Sequence, residues 1–83
     1  MSPTKSLETV KDAIKEFITK LDNYLLVANM EGEWNMFTII QIDSQTNTAQ
    51  KIVEKFSDEL IDYRINEIDI KDANIINVSL LLL

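Results

Sequence analysis

Apolar residues recur along the first quarter of the chain at spacings of three and four: Leu7, Val10, Ile14, Phe17 and Leu21, with Ile18 widening the stripe. Lys11, Asp12, Lys15, Glu16 and Lys20 fill the opposite side. This period predicts an amphipathic helix over 7–21, capped by Ser2 ahead of Pro3 or by Ser6 ahead of Leu7. The stripe continues formally through Tyr24 and Ala28, as a coiled coil would. Leu25, Leu26 and Val27 then occupy its polar positions, so a helix that stops near Asp22 and gives way to a strand is preferred.

From there the period shortens. "YLLVANM" (24–30) and "WNMFTIIQID" (34–43) are rich in β-formers and flank "EGE", which contains the only glycine of the chain, Gly32. A residue that takes positive φ without a steric penalty, placed between two such runs, predicts a hairpin. "SQTNT" (44–48) is a polar connector, and Ala49, Ile52, Val53, Phe56 and Leu60 predict a second amphipathic helix ending near Ile61 or Asp62. "YRINEIDI" (63–70) reads as a strand in which Ile68 and Ile70 alternate with charge, "KDAN" as a turn, and "IINVSLLLL" (75–83) as a last strand. Its alternation puts Ile76, Val78, Leu80 and Leu82 on one face and Ile75, Asn77, Ser79, Leu81 and Leu83 on the other.

The expected fold is therefore α+β in the order α-β-β-α-β-β: a four-stranded antiparallel sheet with two helices on one face. It forms one domain over 1–83, with 1–5 a flexible N-terminus. A shift of 39 residues lays Ile14 on Val53, Phe17 on Phe56, Leu21 on Leu60 and Tyr24 on Tyr63. That overlay is compatible with an αββ pseudo-repeat.

Two helices cover one side of such a sheet. A final strand that is apolar on both faces is normally covered on both. The uncovered side is then expected to display apolar side chains, and a contiguous apolar patch marks an interaction site. The candidate partner or dimer interface consists of Trp34, Met36, Phe37, Ile39, Leu81 and Leu83. Trp and Met favour such surfaces, although burial in the core accounts equally well for an aromatic cluster.

Composition narrows the chemistry. At 83 residues the chain is small for a self-sufficient core, and with no cysteine and no histidine it lacks disulfides and the usual metal staples. Oligomerisation is a common substitute. The same absences remove Cys–His and Ser–His nucleophile pairs and imidazole acid–base catalysis, and one glycine cannot build a phosphate-cradling loop. A formal charge of −6, with seven acids and four bases in each of 1–43 and 44–83, leaves no basic arm, so direct nucleic-acid binding is not expected. The start of the chain has no apolar signal-like stretch, and no apolar run approaches the roughly 20 residues of a membrane span. The expected location is the cytoplasm, with no membrane association.

Three clusters invite a chemical reading. Asp43, Gln45, Asn47 and Glu54 fall on positions of a calcium-loop template, but Thr48 stands at its glycine position and Lys51 where a ligand belongs, so a polar connector with a helix cap is preferred. Glu31 and Glu33 flank Gly32 at a hairpin tip, where solvent treats both alike. Glu67, Asp69 and Lys71 alternate along one strand, as in a minimal Mg²⁺-dependent phosphodiesterase, and equally as on a solvated strand face. Asp58, Glu59 and Asp62 are expected as an acidic patch on the second helix. No cofactor is expected. The function that follows is a small, non-enzymatic, acidic regulatory or adaptor protein that homodimerises through its sheet and binds another macromolecule, in particular a basic protein. The alternatives are an acidic inhibitor of virus or plasmid type, mimicking nucleic-acid charge on a basic partner, and the metal-dependent phosphodiesterase.

Overall fold

A computed structural model describes residues 6–18, 24–42 and 47–83. Its elements are α1 (Leu7–Ile18), β1 (Tyr24–Glu31), β2 (Trp34–Ile42), α2 (Thr48–Lys55), β3 (Leu60–Ile70) and β4 (Ala73–Leu82). All four strands join one antiparallel sheet in the order β1-β2-β4-β3, so β2 and β4 are central and β1 and β3 form the edges. The α+β class and the α-β-β-α-β-β order are those the periodicities predict.

Ser6 is the cap of α1: its Oγ accepts the Thr9 N–H at 3.2 Å and its carbonyl accepts the Val10 N–H at 3.1 Å. Val10, Ile14 and Ile18 from this helix are fully buried. The expected continuation of the helix through Leu21, its stop near Asp22, the alternative cap Ser2 and the connector residues 43–46 lie outside the described residues.

The second helix is shorter than its apolar spacing predicts, ending at Lys55 rather than near Ile61 or Asp62. Past Lys55 the Phe56 and Ser57 N–H groups bond to carbonyls three residues back, Val53 and Glu54, which tightens the helix into a turn. Leu60 then opens β3 opposite Leu82. The cause is the demand of β4: its backbone groups near Leu80–Leu82 require a partner strand on that side, and residues 60–63 supply it. A register irregularity between Leu60 and Asp62 fits the early start into the ladder. Asp58, Glu59 and Asp62 consequently sit in the α2–β3 turn and at the start of β3, not on a helix face as expected.

Both hairpin loops have two residues, Gly32–Glu33 and Lys71–Asp72. Gly32 has φ 62 and Asp72 has φ 64, a conformation that Asp tolerates better than most residues. Residues 24–31 pair with 41–34 and residues 63–70 with 80–73, so the two hairpins share one register when displaced by 39 positions.

The core lies between the helices and one face of the sheet. Val10, Ile14, Ile18, Ala49, Ile52 and Phe56 meet Phe37, Ile39, Ile76, Val78, Leu80 and Leu82. The alternation expected for the last strand holds, with Ile76, Val78, Leu80 and Leu82 all facing inward. Polar groups buried at the margins are mostly paired. Gln41 Nε2 donates to Thr48 Oγ1 at 3.0 Å, and Asn74 Nδ2 donates to Asp69 Oδ1.

Candidate interaction face on the open side of the sheet

Strand register sets what the opposite face displays. One row crosses all four strands as Leu25, Ile40, Ile75 and Ile68, and a shorter one follows as Ile42, Ala73 and Ile70. Leu25, Ile42, Ile68 and Ile70 keep 45–56% of their surface exposed, as does Val27 at 52%. None of these side chains belongs to the core cluster. Four aliphatic side chains in one lateral row, with no covering layer among the described residues, cost free energy in water that burial would recover, at about 25 cal/mol per Å².

The middle of this face is polar. Val27, Thr38, Asn77 and Asn66 form the next row, and Thr38 Oγ1 donates to Asn77 Oδ1 at 2.8 Å. Beyond it lie Met36 and Ser79, then Glu31, Trp34, Leu81 and Asp62. The Arg64 guanidinium stands 4.4 Å from the Trp34 ring centroid, reaching across β4 where the short Ser79 side chain leaves room. The face thus has an uncharged aliphatic half and a mixed half built round the only tryptophan of the chain.

The six residues proposed from the sequence do not share a surface. Trp34, Met36 and Leu81 lie on the open face, half-buried. Phe37 and Ile39 point the other way, at 1% and 0% exposure beneath the helices, and are core residues. The correction follows from strand geometry: neighbours alternate sides, so Trp34 and Met36 cannot share a face with Phe37 and Ile39. Leu83 lies past the end of β4, exposed, with its N–H donating to the Glu59 carbonyl at 2.8 Å. The residues missed are Leu25, Ile68 and Ile70; the alternation of Ile68 and Ile70 with charge in "YRINEIDI" carried a signal, whereas "YLLVANM" is apolar on both faces and carried none for Leu25.

Glu67 and Asp69 sit on the helix side of the β3 edge, opposite Ile76 and Asn74, while Lys71 is in the turn. Among the described residues no group of three or more acids is gathered as a metal site. A cavity of about 310 Å³ at the β1–β2 tip is lined by Met30, Gly32, Glu33, Asn35, Leu82 and Leu83. Asn35 is buried there; its Nδ2 reaches the Leu80 carbonyl at 3.4 Å and its Oδ1 has no hydrogen-bond partner among the described residues. Among the described residues no helix is long and apolar enough to cross a membrane. Set against protein-family models, curated proteins and solved structures, the chain matches none.

Proposed function

We propose that this protein is a small, non-enzymatic regulatory or adaptor protein of the cytoplasm that homodimerises through its sheet and uses the open sheet face to bind another macromolecule. The observation that carries the reading is the aliphatic row Leu25–Ile40–Ile75–Ile68, which no helix among the described residues covers. A core built on one face of the sheet stabilises a chain this short only modestly, and covering the second face adds apolar burial. The acidic surface, net −6, favours a partner that is neutral or basic where it touches the rim.

The test is the mass in solution, with binding measured on a variant of the open face. Sedimentation at tens of micromolar gives a dimer for the wild type. Ile75→Lys, in the middle of the aliphatic row, leaves the far-UV circular dichroism unchanged and abolishes retention of a macromolecular partner on the immobilised protein. A wild type that remains strictly monomeric removes the dimer from the reading. Equal retention by Ile75→Lys removes the open face from it.

A further inference from the structure

We infer that two copies join edge to edge through β1, antiparallel and with Val27 opposite its counterpart, to make one continuous sheet with four strands from each copy. The inference rests on the dimer reading above and names the route by which the dimer forms.

The two edges of the sheet are built differently. β3 carries Asp62, Arg64, Glu67 and Asp69 and an irregular register near Leu60, and Glu67 and Asp69 point to the helix side. Charge, inward-facing acids and a bulge are the devices that keep an edge strand from pairing. Along β1 the charge is confined to Glu31 at the turn: from Tyr24 to Met30 there is no charged residue, no proline and no break in register. A guarded edge and an open one in the same sheet mark the open one as the edge that takes a strand.

The backbone of β1 is set for this. The two-residue loop makes Glu31 and Trp34 the closing hydrogen-bonded pair. Alternation then aims the N–H and C=O groups of Leu25, Val27 and Asn29 at β2, and those of Tyr24, Leu26, Ala28 and Met30 away from the sheet. Met30 shows the outward direction, since its N–H is taken by the neighbouring Asn29 Oδ1 at 2.9 Å. The Met30 N–H is thus held within its own strand, while the outward groups of Tyr24, Leu26 and Ala28 are left for water or another extended strand.

A second copy fits best. Antiparallel pairing centred on Val27 sets residues 24–30 against 30–24, so an uncharged strand meets an uncharged strand. Leu26 then faces Ala28 and Tyr24 faces Met30, outward-directed groups meeting outward-directed groups. Each copy carries −6, and the symmetry moves Glu31 of one copy about 27 Å along the seam from that of the other, at 3.4 Å per residue. That separation exceeds the Debye length of about 8 Å. Leu25 and Val27, both more than half exposed, carry the aliphatic surface across the seam. The open faces of the two copies then form one composite platform for the macromolecular partner.

The chain has no cysteine, so Val27→Cys introduces a single thiol. At a non-hydrogen-bonded pair the two Cα atoms lie about 4.5 Å apart, within disulfide reach. Mild oxidation therefore converts Val27→Cys to a covalent dimer and leaves Ile68→Cys unlinked. Spin labels at residue 68, in the Leu25 row, read about 36 Å: seven strand spacings of about 4.8 Å across the sheet and four residues of about 3.4 Å along it. Leu25→Lys with Val27→Lys gives a folded monomer at concentrations where the wild type is a dimer. A wild-type dimer that links through residue 68 and not residue 27, or that survives the double lysine substitution, overturns the β1 seam and leaves the dimer standing. A monomeric wild type overturns both.

Discussion

Thr38 and Asn77 meet at the centre of the open sheet face, joined by a 2.8 Å hydrogen bond from the Thr38 hydroxyl to the Asn77 side-chain carbonyl. They stand 39 positions apart, on the two central strands, so displacement of one αββ half onto the other carries the first residue to the second. The pair is the polar divider between the aliphatic half of the face and the half built on Trp34. Thr38→Val removes the donor and fuses the two halves into one apolar strip. The expected result is a loss of about 1 kcal/mol in urea unfolding, since Asn77 keeps partial access to water, together with stronger self-association by light scattering. A variant as stable and as weakly associating as the wild type contradicts the role assigned to this pair.

Phe37 and Trp34 test the two faces of one strand. Phe37→Ala empties a fully buried position among α1, α2 and β4 and costs about 3–5 kcal/mol, a large share of the stability of a domain this size. Trp34→Ala removes a half-buried ring from the open face, and its cost in chemical denaturation is smaller while its effect on partner binding is larger. Equal destabilisation by both substitutions contradicts the assignment of faces.

Arg64 shields the sole tryptophan, which makes fluorescence a local probe of the open face. Arg64→Ala withdraws the cation from the ring and increases access of neutral quenchers, with little change in unfolding midpoint because the arginine is exposed. Unchanged quenching shows that the stacked arrangement is not populated in solution.

Asp72 holds φ 64 in the β3–β4 turn. Asp72→Gly relieves that conformation and is neutral or mildly stabilising, whereas Asp72→Val costs about 1–2 kcal/mol in thermal or chemical unfolding. Gly32 has φ 62 at the other turn with open space round the missing Cβ, so Gly32→Ala is penalised by the backbone alone and not by a clash.

The sequence by itself determined the element order, the places of the two turns and the orientation of the last strand, although Ala73 and Asn74, read as turn, belong to β4. These rest on local physics: a 3.6-residue period for α1, a glycine at one turn, and an alternation in 75–83 whose inward set is wholly aliphatic while Asn77 and Ser79 mark the outward set. The phase of β2 was not legible. Its outward set, Trp34, Met36, Thr38 and Ile40, is more apolar than its inward set, Asn35, Phe37, Ile39 and Gln41, so hydrophobicity favours the wrong face. Pairing decided it, because Phe37 opposite Val78 and Ile39 opposite Ile76 continue the face that the helices cover. The length of α2 was likewise a tertiary matter: residues 60–62 fit a helical stripe, but the backbone of β4 claims them as a strand. The order β1-β2-β4-β3, which leaves at one edge a strand uncharged from Tyr24 to Met30 and at the other a charged one, arises from contacts distant in sequence that no local period encodes.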